Sequence, residues 1–345
     1  CSHLGKPKGQ AVPELSLRPV AERLGELLGR EVRLAPDCVG DETRALAEGL
    51  NTGEVLLLEN LRFDPRETGK SADDRGDFGQ KLAGLGDIYV FDAFGVAHRE
   101  NASVVDAPAA ARACCGGLLL QKEWEYLGQA LQAPARPFVA VSGGAKVSTK
   151  LGILHRLIGR VDDIIIGGAM ANTFLLAQGK AVGDSRVEAD LVDAAGEIMA
   201  KAESGGTALH LPQDFLWAGS ADATSPAGTC TADDVPGGAV LLDIGPETIE
   251  AFSAVLARAK TIVWNGPMGL FETEAFAQGS LAVARAMAGN ADALTIVGGG
   301  DTDAMIHNAG LVEQFSFLST GGGSFMEFLE GKELPAFKAL KECAR

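Results

Sequence analysis

Phe138-Val139-Ala140-Val141-Ser142-Gly143-Gly144-Ala145-Lys146-Val147-Ser148-Thr149-Lys150 passes from a β-rich apolar run through a glycine pair to two lysines, and the helically spaced Leu151, Leu154, His155, Leu157 and Ile158 follow. A strand that opens through glycines into a helix is the turn at which a parallel sheet receives anions. Glycine lets backbone N–H groups come close to a ligand, and the N-terminal end of the helix adds positive partial charge. The pattern recurs in Val297-Gly298-Gly299-Gly300-Asp301-Thr302 and in Ser319-Thr320-Gly321-Gly322-Gly323-Ser324, each on the carboxyl side of an apolar run. Together the three loops outline a nucleoside triphosphate site, with amides and ammonium groups for oxygens and a carboxylate for magnesium.

Outward from these loops, short β-rich runs recur at 31–34, 55–58, 88–91, 138–141, 163–166, 208–211, 239–242, 261–264, 294–297 and 315–318. Amphipathic stretches of helical length separate them; Leu17, Val20, Ala21, Leu24, Leu27 and Leu28 are one example. This alternation specifies an α/β protein of parallel sheets covered by helices, with ligands at the carboxyl ends of the strands. Residues 118–131 read as one long helix ahead of the proline-rich Ala133-Pro134-Ala135-Arg136-Pro137. That helix either joins two domains or covers the sheet between consecutive strands. The acidic, small-residue stretch 217–234 reads as a loop.

The 345 residues, 46% of them hydrophobic, supply material for two domains. A formal charge of −16 argues against nucleic acid or an anionic membrane as partner, so any cations that bind anionic ligands must be concentrated locally. No apolar run reaches the roughly 20 residues of a spanning helix, and no signal peptide is evident. The six cysteines include a vicinal pair and no CxxC, which points to reduced cytoplasmic thiols and no zinc site. Ser2-His3-Leu4-Gly5 reads like a loop after a strand that does not precede it, so a natural beginning upstream of Cys1 is expected.

Lys146 and Lys150 lie four apart, a spacing that places both ammonium groups on one face of a helix's first turns. They are a polyphosphate site or two solvated lysines. Asp301 is placed to meet a magnesium ion that bridges phosphates, with the Thr302 hydroxyl beside it, a role compatible with capping the helix. In Trp264-Asn265-Gly266-Pro267-Met268-Gly269-Leu270-Phe271-Glu272, turn residues expose Asn265 and Glu272. A carboxylate there accepts ribose hydroxyls or serves the turn alone. Walker A and GxGxxG patterns are absent, the latter against a dehydrogenase. In the first half, His3 and Lys6, Arg62, and His98 with Arg99 all sit just past apolar runs, where a parallel sheet gathers them into a basic patch for a small phosphorylated acid.

Over essentially its whole length the chain resembles the phosphoglycerate kinases. The matching stretches are Ser2-His3-Leu4-Gly5-Lys6-Pro7, Leu58-Glu59-Asn60-Leu61-Arg62-Phe63, Asp92-Ala93-Phe94-Gly95 with Ala97-His98-Arg99, Gly143-Gly144-Ala145-Lys146-Val147-Ser148, Gly167-Gly168-Ala169-Met170-Ala171-Asn172-Thr173-Phe174, Asp243-Ile244-Gly245-Pro246, Asn265-Gly266-Pro267-Met268-Gly269 and the two later glycine clusters. The resemblance implies two doubly wound parallel-sheet domains joined by a helical hinge. Residues 1–118 would bind phosphoglycerate, 119–332 the nucleotide, and 333–345 would pack back on the first domain. It implies a monomeric cytoplasmic enzyme of glycolysis that transfers a phosphoryl group between 1,3-bisphosphoglycerate and MgADP, giving 3-phosphoglycerate and MgATP as the domains close.

By the same resemblance, His3, Leu4, Gly5, Lys6, Arg62, His98 and Arg99 hold the phosphoglycerate. Gly144, Ala145, Lys146 and Lys150 meet the nucleotide phosphates, and Gly167 and Gly168 flank the adenine. Asn265, Glu272, Gly299, Gly300, Asp301 and Thr302 complete the nucleotide site, with magnesium on Asp301. Lys146, Lys150 and the amides of Gly321, Gly322 and Gly323 face the group in flight. Three departures are visible. The family's opening strand-helix-strand unit, with a second arginine, is not in the chain; Lys6 replaces an arginine; and Asn101 stands where a histidine is common. A chain truly starting at Cys1 is expected to be a catalytically silent adenine-nucleotide binder.

Overall fold

In the computed structural model, which describes residues 1–343, the chain forms two units: Cys1–Gln121 with the segment from Glu333, and Lys122–Lys332. In the first unit β1 (Val32–Leu34) pairs in parallel with β2 (Val55–Leu57), Val32 facing Val55, and β3 (Tyr89–Phe91) pairs in parallel with β4 (Cys114–Gly116), Tyr89 facing Cys114. The helix Arg18–Leu28 carries Pro19 in its first turn and stops at Gly29, whose φ of 63° suits a residue without Cβ. Leu17 and Ala21 seat it on Leu57 of β2. Phe78 and Leu82 of the helix Ala72–Ala83 close a second core over Leu58, Leu61, Ala102 and Ala107.

The C-terminal helix Pro335–Cys343 belongs to this unit: the Ala336 N–H donates to the Ala97 carbonyl at 3.1 Å. Its last residue is disulfide-bonded to Cys114, with the Cα atoms 6.2 Å apart. This corrects the expectation of reduced thiols throughout. The partners are 229 residues apart in sequence, and only the return of the chain onto β4 brings them together.

The second unit is built on a six-stranded parallel sheet of β5 (Phe138–Ser142), β6 (Asp163–Ile166), β7 (Ala208–His210), β11 (Thr261–Asn265), β12 (Leu294–Gly298) and β13 (Phe317–Leu318), in the order β13-β12-β11-β5-β6-β7. Every residue of β5, β6 and β11 is buried, which is why these strands read as unbroken apolar runs. Trp264, fully buried, packs with Val139, Ile165, Ile262 and Val297; burying such a side chain contributes about 2–3 kcal/mol. From β5 the chain winds outward through β6 and β7, then restarts at β11 and winds the other way. The sheet is therefore doubly wound, and its switch point lies between β5 and β11.

A second sheet corrects the expectation of parallel pairing alone. β8 (Asp214–Ala218), β9 (Gly228–Thr231) and β10 (Val240–Ile244) form an antiparallel ribbon in the order β10-β8-β9. β9 and the end of β8 fall inside the stretch 217–234 expected as loop. Gly228-Thr229-Cys230-Thr231 has no apolar alternation, and its pairing comes from β8 alongside. Among the described residues no helix is long and apolar enough to cross a membrane.

Candidate functional site

In the second unit the loops after β5, β6 and β11 are tied to one another by backbone. Gly143 N–H donates to the Asn265 carbonyl (3.0 Å), Gly144 N–H to Pro267 (2.9 Å), Gly168 N–H to Met268 (2.8 Å), and Met170 N–H to Gly144 (3.0 Å). Such close approach explains the glycines. Gly144 and Gly168 have φ of 106° and 68°, and a Cβ on Gly168 would lie 2.6 Å from the Gly144 nitrogen. The loops frame a cavity of about 270 Å³. Of the residues marked by sequence, Gly144, Ala145, Gly168, Glu272 and Asp301 line it. Asn172, Arg186, Phe215, Leu241, Leu242 and Phe271 also line it, and sequence reasoning passed over them in this role.

The two lysines are placed differently from expectation. The helix begins only at Leu151, so Lys146 and Lys150 occupy the preceding turn, closed by Lys150 N–H to Val147 O (2.8 Å), and they share no helical face. Lys146 is exposed. Lys150 is 7% exposed, and among the described residues its ammonium group has no hydrogen bond or ion pair. Burial pushes its pKa down to about 8, opposed by the charge of Asp301.

Asp301 lies in the first turn of the helix Gly300–Asn308, two residues after the cap residue Gly299. Thr302 and Asn265 are buried and do not line the cavity. The Thr302 hydroxyl accepts the Gly266 N–H (2.9 Å), and Asn265 Nδ2 donates to the Gly298 carbonyl (2.6 Å). These bonds lock the loops after β11 and β12 side by side. Gly167, Gly299, Gly300 and Gly321 to Gly323 are likewise not lining residues.

The turn before Gly321 is held by Glu123, which no sequence signal marked. This fully buried carboxylate, in the helix Leu118–Gln132, accepts Ser319 Oγ (2.8 Å), Thr320 N–H (2.7 Å) and Thr320 Oγ1 (2.8 Å). Burial pushes its pKa up, against those three bonds. Glu123→Ala strands the donors and is expected to lower unfolding free energy by roughly 2–4 kcal/mol. Urea denaturation measures this, and a loss below about 1 kcal/mol would show the carboxylate to be dispensable.

In the first unit, the stretch Glu59-Asn60-Leu61-Arg62 organises the loop that carries His3. Fully buried Asn60 donates through Nδ2 to the carbonyls of Leu4 and Leu15, both at 2.8 Å, and accepts the Arg62 N–H (3.0 Å). Glu59 accepts the Leu17 N–H (2.8 Å) and Ser16 Oγ (2.7 Å). Leu61 N–H reaches the Ser2 carbonyl (3.0 Å), and Arg62 Nη1 donates to the Gly5 carbonyl (2.7 Å).

The consequence is a knot of basic groups. Burial, then the charges of Arg62 and Arg99, hold His3 below the ordinary imidazole range. Burial and Arg99 likewise lower Arg62, with Glu67 opposing. Arg62 Nε is buried without a partner among the described residues. Half-buried His98 and exposed Lys6 lie in the loops that carry these residues. Asn101 does not join them: its Nδ2 donates to Glu67 Oε1 (3.1 Å), a buried carboxylate that also accepts Ser103 N–H and Oγ. Crowded basic groups whose charged forms are disfavoured by burial and mutual repulsion are the kind of cluster that an anion stabilises.

Comparison with known proteins shows what the chain as a whole resembles. The phosphoglycerate kinase family model matches residues 1–332. A phosphoglycerate kinase of Maridesulfovibrio salexigens is 65% identical over 341 residues, covering 99% of this chain and 86% of the relative. That of Moorella thermoacetica is 52% identical over 345 residues, covering 99% and 85%. The solved structure of phosphoglycerate kinase from Coxiella burnetii superposes with a TM-score of 0.88 at 42% identity, covering all of this chain and 86% of that one. With a two-unit α/β fold, glycine loops at a sheet switch point and a match over nearly its full length, the chain belongs to the phosphoglycerate kinase family.

Proposed function

We propose that this chain is an enzyme that moves a phosphoryl group reversibly between 1,3-bisphosphoglycerate and MgADP, giving 3-phosphoglycerate and MgATP, the glycolytic reaction of its family. The observation that carries the reading is electrostatic. Each unit keeps basic groups in places that disfavour their charged forms: Lys150 in one, His3 and Arg62 in the other. An anionic ligand relieves that penalty in both.

In this reading His3, Lys6, Arg62, His98 and Arg99, with the backbone of Leu4 and Gly5, bind phosphoglycerate. Gly144, Ala145, Lys146 and Lys150 bind the nucleotide phosphates. Gly167 and Gly168 border the base and Glu272 the ribose, while Asn265, Gly299, Gly300 and Thr302 shape the floor. Asp301 is the one carboxylate offered to magnesium. The described residues hold no group of three or more metal-ligating side chains, which suits an ion that keeps phosphate and water ligands and meets a single carboxylate. When bound, magnesium neutralises charge on the phosphate oxygens.

Little covalent chemistry is asked of the protein. In the direction of ATP synthesis a β-phosphate oxygen of ADP attacks the acyl phosphorus, the bond from phosphorus to the acyl oxygen breaks, and a carboxylate leaves. No proton moves, so no general base is required, and none is offered. Lys146, Lys150 and the amides of Gly321, Gly322 and Gly323 spread the charge of the group in flight. The enzyme acts in this reading as a cytoplasmic monomer.

The test is 3-phosphoglycerate-dependent conversion of MgATP to ADP by the purified chain. Turnover that needs both substrates and stops with excess chelator is expected. ADP release independent of 3-phosphoglycerate would contradict the reading.

A further inference from the structure

We propose that Arg186 lies over the face of the nucleotide base and binds it by cation–π stacking, which makes it a base-affinity residue of this chain. The inference rests on the nucleotide reading above and extends it to a residue with no role there.

Arg186 lines the cavity, is exposed, and among the described residues its guanidinium makes no hydrogen bond or ion pair. In a chain with 46 acidic residues and a net charge of −16, an unpartnered arginine at a ligand cavity needs a reason. Its backbone is fixed from several sides. The Arg186 carbonyl accepts Asn172 Nδ2 (3.1 Å), the neighbouring Ser185 hydroxyl accepts the Leu241 N–H (2.9 Å), and Glu188 N–H donates to Thr173 Oγ1 (3.1 Å). Only the side chain is left unattached.

These ties place Arg186 beside Leu241, next to the apolar part of the lining made by Phe215, Leu241 and Leu242. Gly144, Ala145 and Asp301, the phosphate and metal groups, belong to the loops of the other sheet. The apolar part suits a planar aromatic base. A weakly hydrated, planar guanidinium at its rim stacks on such a base without needing a charged partner.

The experiment is equilibrium titration of the full chain and its Arg186→Ala and Arg186→Lys variants with MgADP and with magnesium tripolyphosphate, which has phosphates but no base. Arg186→Ala is expected to weaken MgADP about three- to thirty-fold while leaving tripolyphosphate within about twofold. Arg186→Lys, which loses the planar group and keeps the charge, is expected to recover only part of the loss. Because the guanidinium has no partner among the described residues, thermal unfolding of both variants should match wild type. If the alanine variant does not fold, the lysine variant alone decides, by a loss of at least about twofold confined to MgADP.

Equal weakening of both ligands would overturn the proposal by placing Arg186 on the phosphates. Unchanged binding of both would overturn it by placing the side chain in solvent. Either result beside normal wild-type turnover removes Arg186 alone; a wild-type chain that binds neither ligand removes the nucleotide reading as well.

Discussion

Replacing Lys150 with methionine is expected to lower kcat by about a hundred- to a thousand-fold and, in the same variant, to make the ligand-free chain more stable. The two effects have one cause. Lys150 is 7% exposed and has no partner among the described residues, so below pH 8 the folded protein bears nearly the whole desolvation penalty of its charge. A pKa lowered from 10.5 to about 8 corresponds to about 3 kcal/mol, and an uncharged side chain of similar length recovers much of it.

The same lysine fixes two pH dependences. Between about 8 and 10.5 the folded chain binds fewer protons at this position than the unfolded chain, so wild-type stability gains a rising contribution with pH that Lys150→Met lacks. Nucleotide phosphates prefer the protonated amine. MgADP affinity should therefore be flat below pH 8 and weaken above it in wild type, and stay flat in the variant. Thermal unfolding across pH 6–10.5 and titration calorimetry across pH 6–9 measure the two. A variant that is inactive and also less stable would place Lys150 in a structural role.

Arg62→Met should raise the KM for 3-phosphoglycerate about a hundred-fold with little change in the affinity for MgADP, since the nucleotide cavity lies in the other unit. Arg62 holds the Gly5 carbonyl through Nη1 and leaves Nε buried and unpartnered, beside His3 and Arg99. An anion beside this guanidinium relieves its repulsion with Arg99 in a half-buried place, which is why the effect should exceed that of an exposed salt bridge. Arg62→Lys keeps the charge and loses the fork, so it should recover only a small part of the affinity. Steady-state kinetics in both substrates decides. An unchanged KM would leave the cation cluster without a ligand.

What could be read before folding follows from how locally each feature is determined. Gly144 and Gly168 stood out because an apolar run ending in glycine announces a backbone of positive φ that other residues rarely adopt, and the burial of β5, β6 and β11 showed as runs dominated by apolar residues such as Val139, Ile164 and Ile262. β9 escaped because Gly228-Thr229-Cys230-Thr231 becomes a strand only through its neighbour β8. Glu59, Glu67 and Glu123 escaped for a similar reason: a lone glutamate in an amphipathic stretch reads as solvated, and only tertiary contacts show that each organises a turn or loop near a site. Cys114 and Cys343 are joined across 229 residues. Lys146 and Lys150 were expected on one helical face and are not, because the helix starts one residue after Lys150.

The most direct measurement mixes the purified chain with MgATP, 3-phosphoglycerate and hydroxylamine, and quantifies ADP and the hydroxamate formed when hydroxylamine captures an acyl phosphate. The expected result is hydroxamate and ADP in equal amounts, both lost with Lys150→Met. ADP with inorganic phosphate and no hydroxamate would contradict phosphoryl transfer to the carboxylate.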